Sequence, residues 1–207
     1  MKKNYYTGIA TIIIAFIFSM SFSGCSYNSL VKEQENVNSA WAQVENQYQR
    51  RADLIPNLVA TVKGVADFEK STLTEVTDAR SRVGQVKITA DDLNDPEKLK
   101  QFQAAQDNLS GALQKLLVVT ENYPQLKSNE NFLQLQSQLE GTENRISVER
   151  RKFNEAAQQY NTAIRTFPAV ISAKIFGFKE KAYFQSAPGS DKAPEVNFDF
   201  NKKKENK

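Results

Sequence analysis

The sequence predicts an all-α fold, an antiparallel up-down bundle of three long helices followed by a short C-terminal helix. Apolar residues recur at seven-residue intervals over 29–87 and again over 129–167, and this spacing places them along one face of a helix. The 207 residues include only 8 glycines and 6 prolines, few for a β-rich chain of this size. Because the connections between the predicted helices are short, consecutive helices should run antiparallel.

The N-terminal residues predict a segment that directs the chain to a membrane. The basic start MKK precedes an apolar run over 9–22, and the sequence FSGC then ends at Cys25. This layout is typical of a signal peptide over 1–24. Its end resembles the lipobox of bacterial lipoproteins, in which Cys25 would be the lipid-attachment residue and 25–28 the junction to the bundle. The alternative is an uncleaved single span, although the run is short against the roughly 20 residues that a bilayer requires.

Both interpretations place the helical domain, residues 29–185, at a membrane of the bacterial cell envelope. We expect the domain outside the cytoplasm, in the periplasm, and the sequence does not distinguish the inner from the outer membrane. The expected partners are this membrane and other envelope proteins.

The first long helix is predicted over 29–87, with a kink at Pro56. Its two apolar seams are Val37, Val44, Leu58, Val65, Ala79 and Val86, and Trp41, Tyr48, Ile55, Val62, Val76 and Val83. Arg51, Glu69 and Thr72 interrupt this pattern. Because the seam residues keep their seven-residue phase across Pro56, a bend within a continuous helix is expected rather than a loop.

The kink leaves one backbone group to be satisfied. Proline has no N–H group, so the carbonyl group of Ala52, four residues before Pro56, loses its helical donor. Asn57, Thr61 or a water molecule could supply a replacement hydrogen bond.

Two further long helices follow along the chain. The second is predicted over 96–122, because Asp95 is a good N-cap and a proline follows it at the first helical position. The third is predicted over 129–167, with Ser128 or Asn129 as its cap. Its apolar seam has one residue every seven positions: Phe132, Leu139, Ile146, Phe153, Tyr160 and Phe167.

The C-terminal part predicts one short helix and a tail. Pro168 ends the third helix or bends it sharply. The sequence AVISAKIFG then allows a short final helix with Gly177 as its C-terminal cap. Residues 186–207 are rich in Pro, Gly, Ser and Lys, which predicts a flexible tail.

The composition argues against several classes of enzyme. There is no histidine and Cys25 is the only cysteine, so the commonest general base is missing and no cysteine zinc cluster can form. We therefore predict no catalytic residues, no metal and no cofactor. Lys and Arg total 27 against 24 Asp and Glu. This small excess argues against nucleic-acid binding, which needs a clustered basic face.

Several long segments resemble the LemA family of bacterial membrane-anchored helical proteins. They are YNSLV at 27–31, AWAQVENQYQRRADLIPNLVATVKG at 40–64, LKSNENFLQLQSQLEGTENRISVERRKFNEAAQQYNTAIRTFP at 126–168 and FGFKEKAYF at 176–184. The resemblance is specific, because these segments occur in order from residue 27 to about 185. It implies an antiparallel helical bundle with its N-terminus at the membrane, and no agreed biochemical activity comes with it.

Arg50, Arg51 and Asp53 form a first polar cluster, close to the predicted kink at Pro56. Arginine pairs well with carboxylates and phosphates, so the cluster could bind an anion or a partner protein. The structural alternative is ion pairing on the helix surface, together with polar groups that compensate for the proline.

A second polar cluster lies on the third helix and comprises Glu143, Asn144, Glu149 and Arg150, followed by Arg151. Paired carboxylates could perform acid–base chemistry. The structural alternative is a polar network that sets the register of the helices.

We therefore predict a non-catalytic scaffold that binds other envelope proteins. The alternatives are a membrane-shaping or lipid-binding bundle and, third, a hydrolase that uses carboxylates. An exposed apolar groove would favour a partner or lipid, whereas a deep polar cleft would favour an enzyme. The acidic connection at 88–95 is expected at the end of the bundle far from the membrane, where it is predicted to contact a partner.

Overall fold

The computed structural model describes the backbone over residues 2–65 and 68–185, and side chains from residue 26 onward within these ranges. Its helices, in chain order, are α1 (Lys2–Lys63), α2 (Lys70–Gln85), α3 (Pro96–Thr120), α4 (Pro124–Lys127), α5 (Glu130–Arg165) and α6 (Ala169–Phe176). A 3₁₀ turn at Asp92–Asn94 precedes α3. The predicted all-α class is therefore confirmed.

Three predictions fall on residues that the structure does not describe in this detail. The side chains of the leader at 1–24 and of Cys25 lie outside the described residues, as does the whole of the predicted tail at 186–207. Among the side chains that are described, none of the helices has an apolar stretch long enough to cross a membrane.

The prediction of a single helix over 29–87 is wrong. The chain leaves the helix after Lys63 and resumes a helical path at Lys70, so α1 and α2 are separate helices. The apolar seam hides this break because Val62 and Val76 are two heptads apart, and the connection between them happens to preserve the seven-residue phase. Within residues 2–65 and 68–185 the bundle thus has four long helices, α1, α2, α3 and α5, where three were predicted.

Continuity across Pro56 is confirmed, because this residue lies inside α1. The side chain of Pro56 is exposed, whereas Ile55 and Leu58 on either side of it are buried. The apolar face of α1 therefore passes the proline without losing its contact with the core.

The helices pack in pairs, α1 against α5 and α2 against α3. Trp41 of α1 belongs to the first of two core clusters among the described residues, which also includes Leu30, Val37, Val44, Tyr48, Ile88, Leu93, Leu99, Phe102, Ile146, Phe153, Tyr160, Ile164, Ala173, Ala182 and Phe184. Its ring contacts Phe102, Phe153 and Phe184, with centroid distances of 5.5, 5.6 and 6.0 Å. Aromatic pairs at such distances stabilise a fold beyond the area that they bury.

The second core cluster lies where α1 ends and α2 begins. It includes Ile55, Leu58, Val62, Phe68, Leu73, Val76, Leu109, Leu113, Leu116, Leu126, Phe132 and Leu139. This end of the bundle is farthest along α1 from the leader.

The connection at 88–95 does not lie at that far end, so its predicted position is wrong. Ile88 and Leu93 are buried in the first core cluster. The carbonyl group of Leu93 accepts a hydrogen bond of 2.8 Å from the N–H group of Ala182. Because α2 reverses the direction of the chain, this connection returns towards the end at which α1 enters the bundle.

The predicted helix caps are confirmed. Asp95 accepts hydrogen bonds from the first backbone N–H groups of α3. Asn129 accepts one of 3.1 Å from the N–H group of Phe132 at the start of α5. Gly177 ends α6 with φ of 75°, a left-handed conformation that side chains disfavour.

Candidate functional site

Arg51 projects from α1 into the interior of the bundle and is buried. Its Nη1 atom donates hydrogen bonds to Ser110 Oγ at 2.7 Å and to Glu143 Oε2 at 2.6 Å. Its Nη2 atom donates to Gln106, at 2.5 Å to the side-chain oxygen and at 3.3 Å to the backbone carbonyl. One guanidinium group therefore joins α1 to α3 and α5.

The partners of Arg51 follow from helical spacing. Gln106 and Ser110 are four residues apart on α3, so both side chains point towards the same neighbour. The planar guanidinium group offers five donors in a fixed arrangement, which suits three partners on two helices. Its Nε atom is buried without a hydrogen-bond partner among the described residues. The site is thus built on the two terminal nitrogen atoms.

Glu143 connects this buried cation to solvent. Its side chain is 48% exposed, whereas that of Arg51 is 2% exposed. One carboxylate oxygen accepts from Arg51 and the other lies 3.4 Å from the Ser110 hydroxyl group. Because both oxygens are engaged in helix contacts, the geometry favours a structural ion pair that sets the register of the helices.

Tyr48 lies one turn before Arg51, and its ring centroid is 5.2 Å from the guanidinium carbon. Burial raises the pKa of Tyr48 to about 12, although the neighbouring arginines oppose the change. The phenol therefore stays protonated at neutral pH.

The other two residues of the first predicted cluster do not join this network. Arg50 and Asp53 are exposed on α1. Asp53 accepts a hydrogen bond of 2.8 Å from Gln49, one turn earlier on the same helix. The structure thus brings Arg51 to Glu143 and leaves Arg50 and Asp53 on the surface.

The carbonyl group freed by Pro56 is satisfied from another helix. Arg80 of α2 donates its Nε–H to the carbonyl oxygen of Ala52 at 3.0 Å. Thr61, expected to compensate, instead donates to the carbonyl group of Asn57 at 2.8 Å. The region around Pro56 is therefore a contact between α1 and α2, which the sequence did not indicate.

The second predicted cluster is divided among separate contacts. Glu149 accepts from the lysine three residues later at 2.8 Å, and Asn144 is exposed. Arg150 lies 3.7 Å from Asp107 of α3 and 4.6 Å from the ring centroid of Phe184. Among the described residues, no group of acidic or cysteine side chains is arranged to hold a metal ion.

The segment after α6, residues 178–185, was not predicted as a site. We call it the strap. Three side-chain amides bind its backbone, each donating to a carbonyl group and accepting from the N–H group of the same residue: Asn161 with Lys181 (2.8 and 2.8 Å), Asn154 with Phe184 (3.0 and 2.9 Å) and Gln103 with Gln185 (2.8 and 3.1 Å). Each amide replaces the neighbouring strand that an extended chain would otherwise pair with. The seven-residue spacing of Asn154 and Asn161 was the available signal.

A cleft of about 630 Å³ lies between α1 and α2. Its inner wall includes Trp41, Tyr48 and Phe102, and its rim includes Glu45, Gln49, Arg80 and Lys87. An aromatic wall below a charged rim suits the binding of a protein segment more than the chemistry of an enzyme.

These contacts define a helical bundle whose inner polar groups join helices to one another. The chain belongs to the LemA family, whose model matches residues 40–198. The resemblance found in the sequence is thereby confirmed, and the match continues past Gln185 into the region predicted as a tail.

Several named proteins are similar along most of their length. Magnetosome protein MamQ of Magnetospirillum gryphiswaldense is 28% identical over 195 residues, which cover 86% of this chain and 71% of that protein. Magnetosome protein MamQ 2 of Paramagnetospirillum magneticum has the same identity and coverage. Protein LemA of Metamycoplasma hominis is 26% identical over 193 residues, covering 90% of this chain and 84% of that protein. None of these names denotes an enzyme.

Proposed function

We propose that this protein is a membrane-anchored, non-catalytic scaffold of the bacterial cell envelope, and that its bundle binds other envelope proteins. The observation that carries the proposal is the continuity of α1 from Lys2 to Lys63. The apolar run at 9–22 and the first buried core residue, Leu30, lie on the same helix. They are separated by about 12 Å along its axis at 1.5 Å per residue.

A shared helix gives the bundle a fixed height and direction above the membrane. Cleavage before Cys25 would preserve this property, because the acylated residue would lie only five positions before Leu30. A bundle held in this way keeps each of its surfaces at a constant height above the membrane, which suits a scaffold.

The cleft between α1 and α2 is the surface that we assign to partner binding. Acid–base chemistry would use the carboxylates of Glu143 and Glu149. These groups instead accept hydrogen bonds from Arg51 and from a neighbouring lysine, respectively. A lipid-binding or membrane-shaping bundle is the second candidate, and the exposed apolar residues of α6 favour it.

Intact-mass analysis of protein extracted from native membranes tests the anchor. A chain that begins at an acylated Cys25 supports the lipoprotein, and an unmodified chain that retains 1–24 supports the uncleaved span. Recovery of the protein in the soluble fraction, with neither feature, contradicts membrane anchoring.

Photo-crosslinking tests the partner surface. We expect a photoreactive residue at Gln49, on the rim of the cleft, to form a discrete adduct in native membranes. The matched control is Gln134, which is exposed on α5 and outside the cleft lining. Adducts at both positions, or at neither, would contradict the assignment of the cleft.

A further inference from the structure

The end of the bundle at which α1 enters carries a contiguous apolar surface. Phe167, Ile171, Ile175 and Phe176 are 77%, 54%, 72% and 59% exposed, and we call them the α6 patch. Ile171 and Ile175 are four residues apart in α6, so they lie along one side of that helix, and Phe167 is in the turn before it. Single exposed apolar residues are ordinary, whereas a contiguous group indicates a contact surface.

The opposite side of α6 already packs on the bundle. Ser172 and Ala173 are buried, and Ala173 belongs to the first core cluster. A helix that packs on a bundle through one face normally has a polar outer face. In the sequence AVISAKIF, however, Lys174 is the only charged residue. The outer face of α6 is therefore apolar for a reason other than folding.

The position of the α6 patch relative to α1 indicates what covers it. The ring of Tyr27 on α1 contacts Phe176 and Phe178, with centroid distances of 4.7 and 5.8 Å. Tyr27 follows the end of the apolar run at 9–22 by five residues, or about 8 Å of helix. The headgroup layer is about 5–8 Å deep on each side of a bilayer. A membrane that holds the leader therefore reaches the level of Tyr27.

The residues around the α6 patch match the chemistry of this layer. Lys174 and Lys179 are exposed, two residues before and three residues after Phe176 in the sequence, and lysines near an apolar face can pair with anionic headgroups. Tyr27 is partly exposed, and tyrosine is enriched where membrane and water meet. An apolar face flanked by lysines is the pattern of helices that lie in the plane of the membrane surface.

We infer that the α6 patch is a second membrane contact, which inserts into the headgroup layer beside the anchor. This inference rests on the proposed membrane anchoring. A single helix fixes the height of the bundle but leaves its rotation about α1 free. Contact through α6 removes that freedom, because only one side of the bundle carries the α6 patch.

Quenching of tryptophan fluorescence by brominated lipids tests this contact in the full-length protein. The chain has one tryptophan, Trp41, which is buried in the core and provides a constant background. The test variant is Ile175→Trp, reconstituted in vesicles of phosphatidylcholine and phosphatidylglycerol that are brominated near the headgroup. The matched control is Val118→Trp, which is 64% exposed at the C-terminal end of α3.

We expect the emission added by Ile175→Trp to be quenched several-fold, and that added by Val118→Trp to be unchanged. Absence of quenching at both positions, in protein that floats with the vesicles, overturns the second contact and leaves the anchoring proposal intact. Equal quenching at both positions also overturns it, because the whole bundle would then lie along the bilayer. Failure of the wild-type protein to float refutes anchoring itself, and the second contact with it. If Ile175→Trp unfolds, Ile171→Trp replaces it.

Discussion

Replacement of Arg51 by alanine tests whether its network holds the bundle together. The change removes the N–H groups that donate hydrogen bonds to Gln106 and Glu143. The two acceptors then differ in whether water can replace the lost donor. Glu143 is 48% exposed and can bind water instead. Gln106 is buried, so its side-chain oxygen is left without a partner.

The expected loss of stability has two parts. An unsatisfied buried acceptor at Gln106 costs about 1–3 kcal/mol. Loss of the buried aliphatic stem of Arg51 costs about 2 kcal/mol at about 0.8 kcal/mol per methylene group. Because the guanidinium group no longer has to be desolvated, some of this loss is offset. We therefore expect Arg51→Ala to lower the free energy of unfolding by about 3 kcal/mol, a large share of the 5–15 kcal/mol typical of a domain.

Urea unfolding of the full-length protein in detergent, followed by far-UV circular dichroism, measures this difference. Arg51→Met keeps the stem and removes the donors, so it should recover about 2 kcal/mol of the stability that Arg51→Ala loses. The matched control is Arg50→Ala at the exposed neighbouring position, where a change within about 0.5 kcal/mol is expected.

A result for Arg51→Ala as small as that for Arg50→Ala would refute the structural role. If the same variant also lost its crosslinks from Gln49, Arg51 would instead be a partner-binding residue. The functional alternative for the first polar cluster would then be correct.

Three further changes test other contacts. Pro56→Ala should stabilise α1 by up to about 3 kcal/mol, and it restores the helical N–H donor to the carbonyl group of Ala52. Arg80→Ala should therefore lower the free energy of unfolding less in that variant than in the wild type. Equal losses in urea unfolding would contradict the hydrogen bond from Arg80 to Ala52. Asn161→Ala removes three hydrogen bonds to the strap, two with the backbone of Lys181 and one with the hydroxyl group of Tyr183. It should cost about 1–3 kcal/mol and speed cleavage of the strap in limited proteolysis, whereas Asn144→Ala at an exposed site should do neither. Folding raises the pKa of Tyr48 to about 12, so the contribution of its protonated phenol to stability should be complete below pH 10 and decline as pH rises towards 12. An identical decline in Tyr48→Phe would show that other groups cause it.

The sequence predicted the helices whose signals are local. The third predicted helix, at 129–167, corresponds to α5 (Glu130–Arg165), because a strict seven-residue seam and an asparagine cap both lie within it. The second, at 96–122, corresponds to α3 (Pro96–Thr120) for the same reason. Periodicity and capping depend only on neighbours along the chain, so they can be read without knowledge of packing.

Features that depend on packing were missed or misplaced. A seam in constant phase does not reveal whether it belongs to one helix or two, so the break after Lys63 was not found. The strap has no periodicity of its own, since its backbone is bound by amides distant in sequence. Arg51 was marked as an interruption of an apolar seam and Glu143 as a member of a polar cluster, but their pairing depends on how α1 and α5 align. That alignment is set by the whole core.

The strap also has a consequence for the order of events during synthesis. Phe184 stacks on Trp41, so the first core cluster joins residues from almost opposite ends of the described chain. Contacts so distant in sequence form late and slowly compared with those inside a helical hairpin. While the ribosome is still translating α5, the aromatic side chains around Trp41 lack their final partner. A premature stop before residue 178 would leave that surface uncovered, and a nascent chain in this state is a natural substrate for chaperones and proteases.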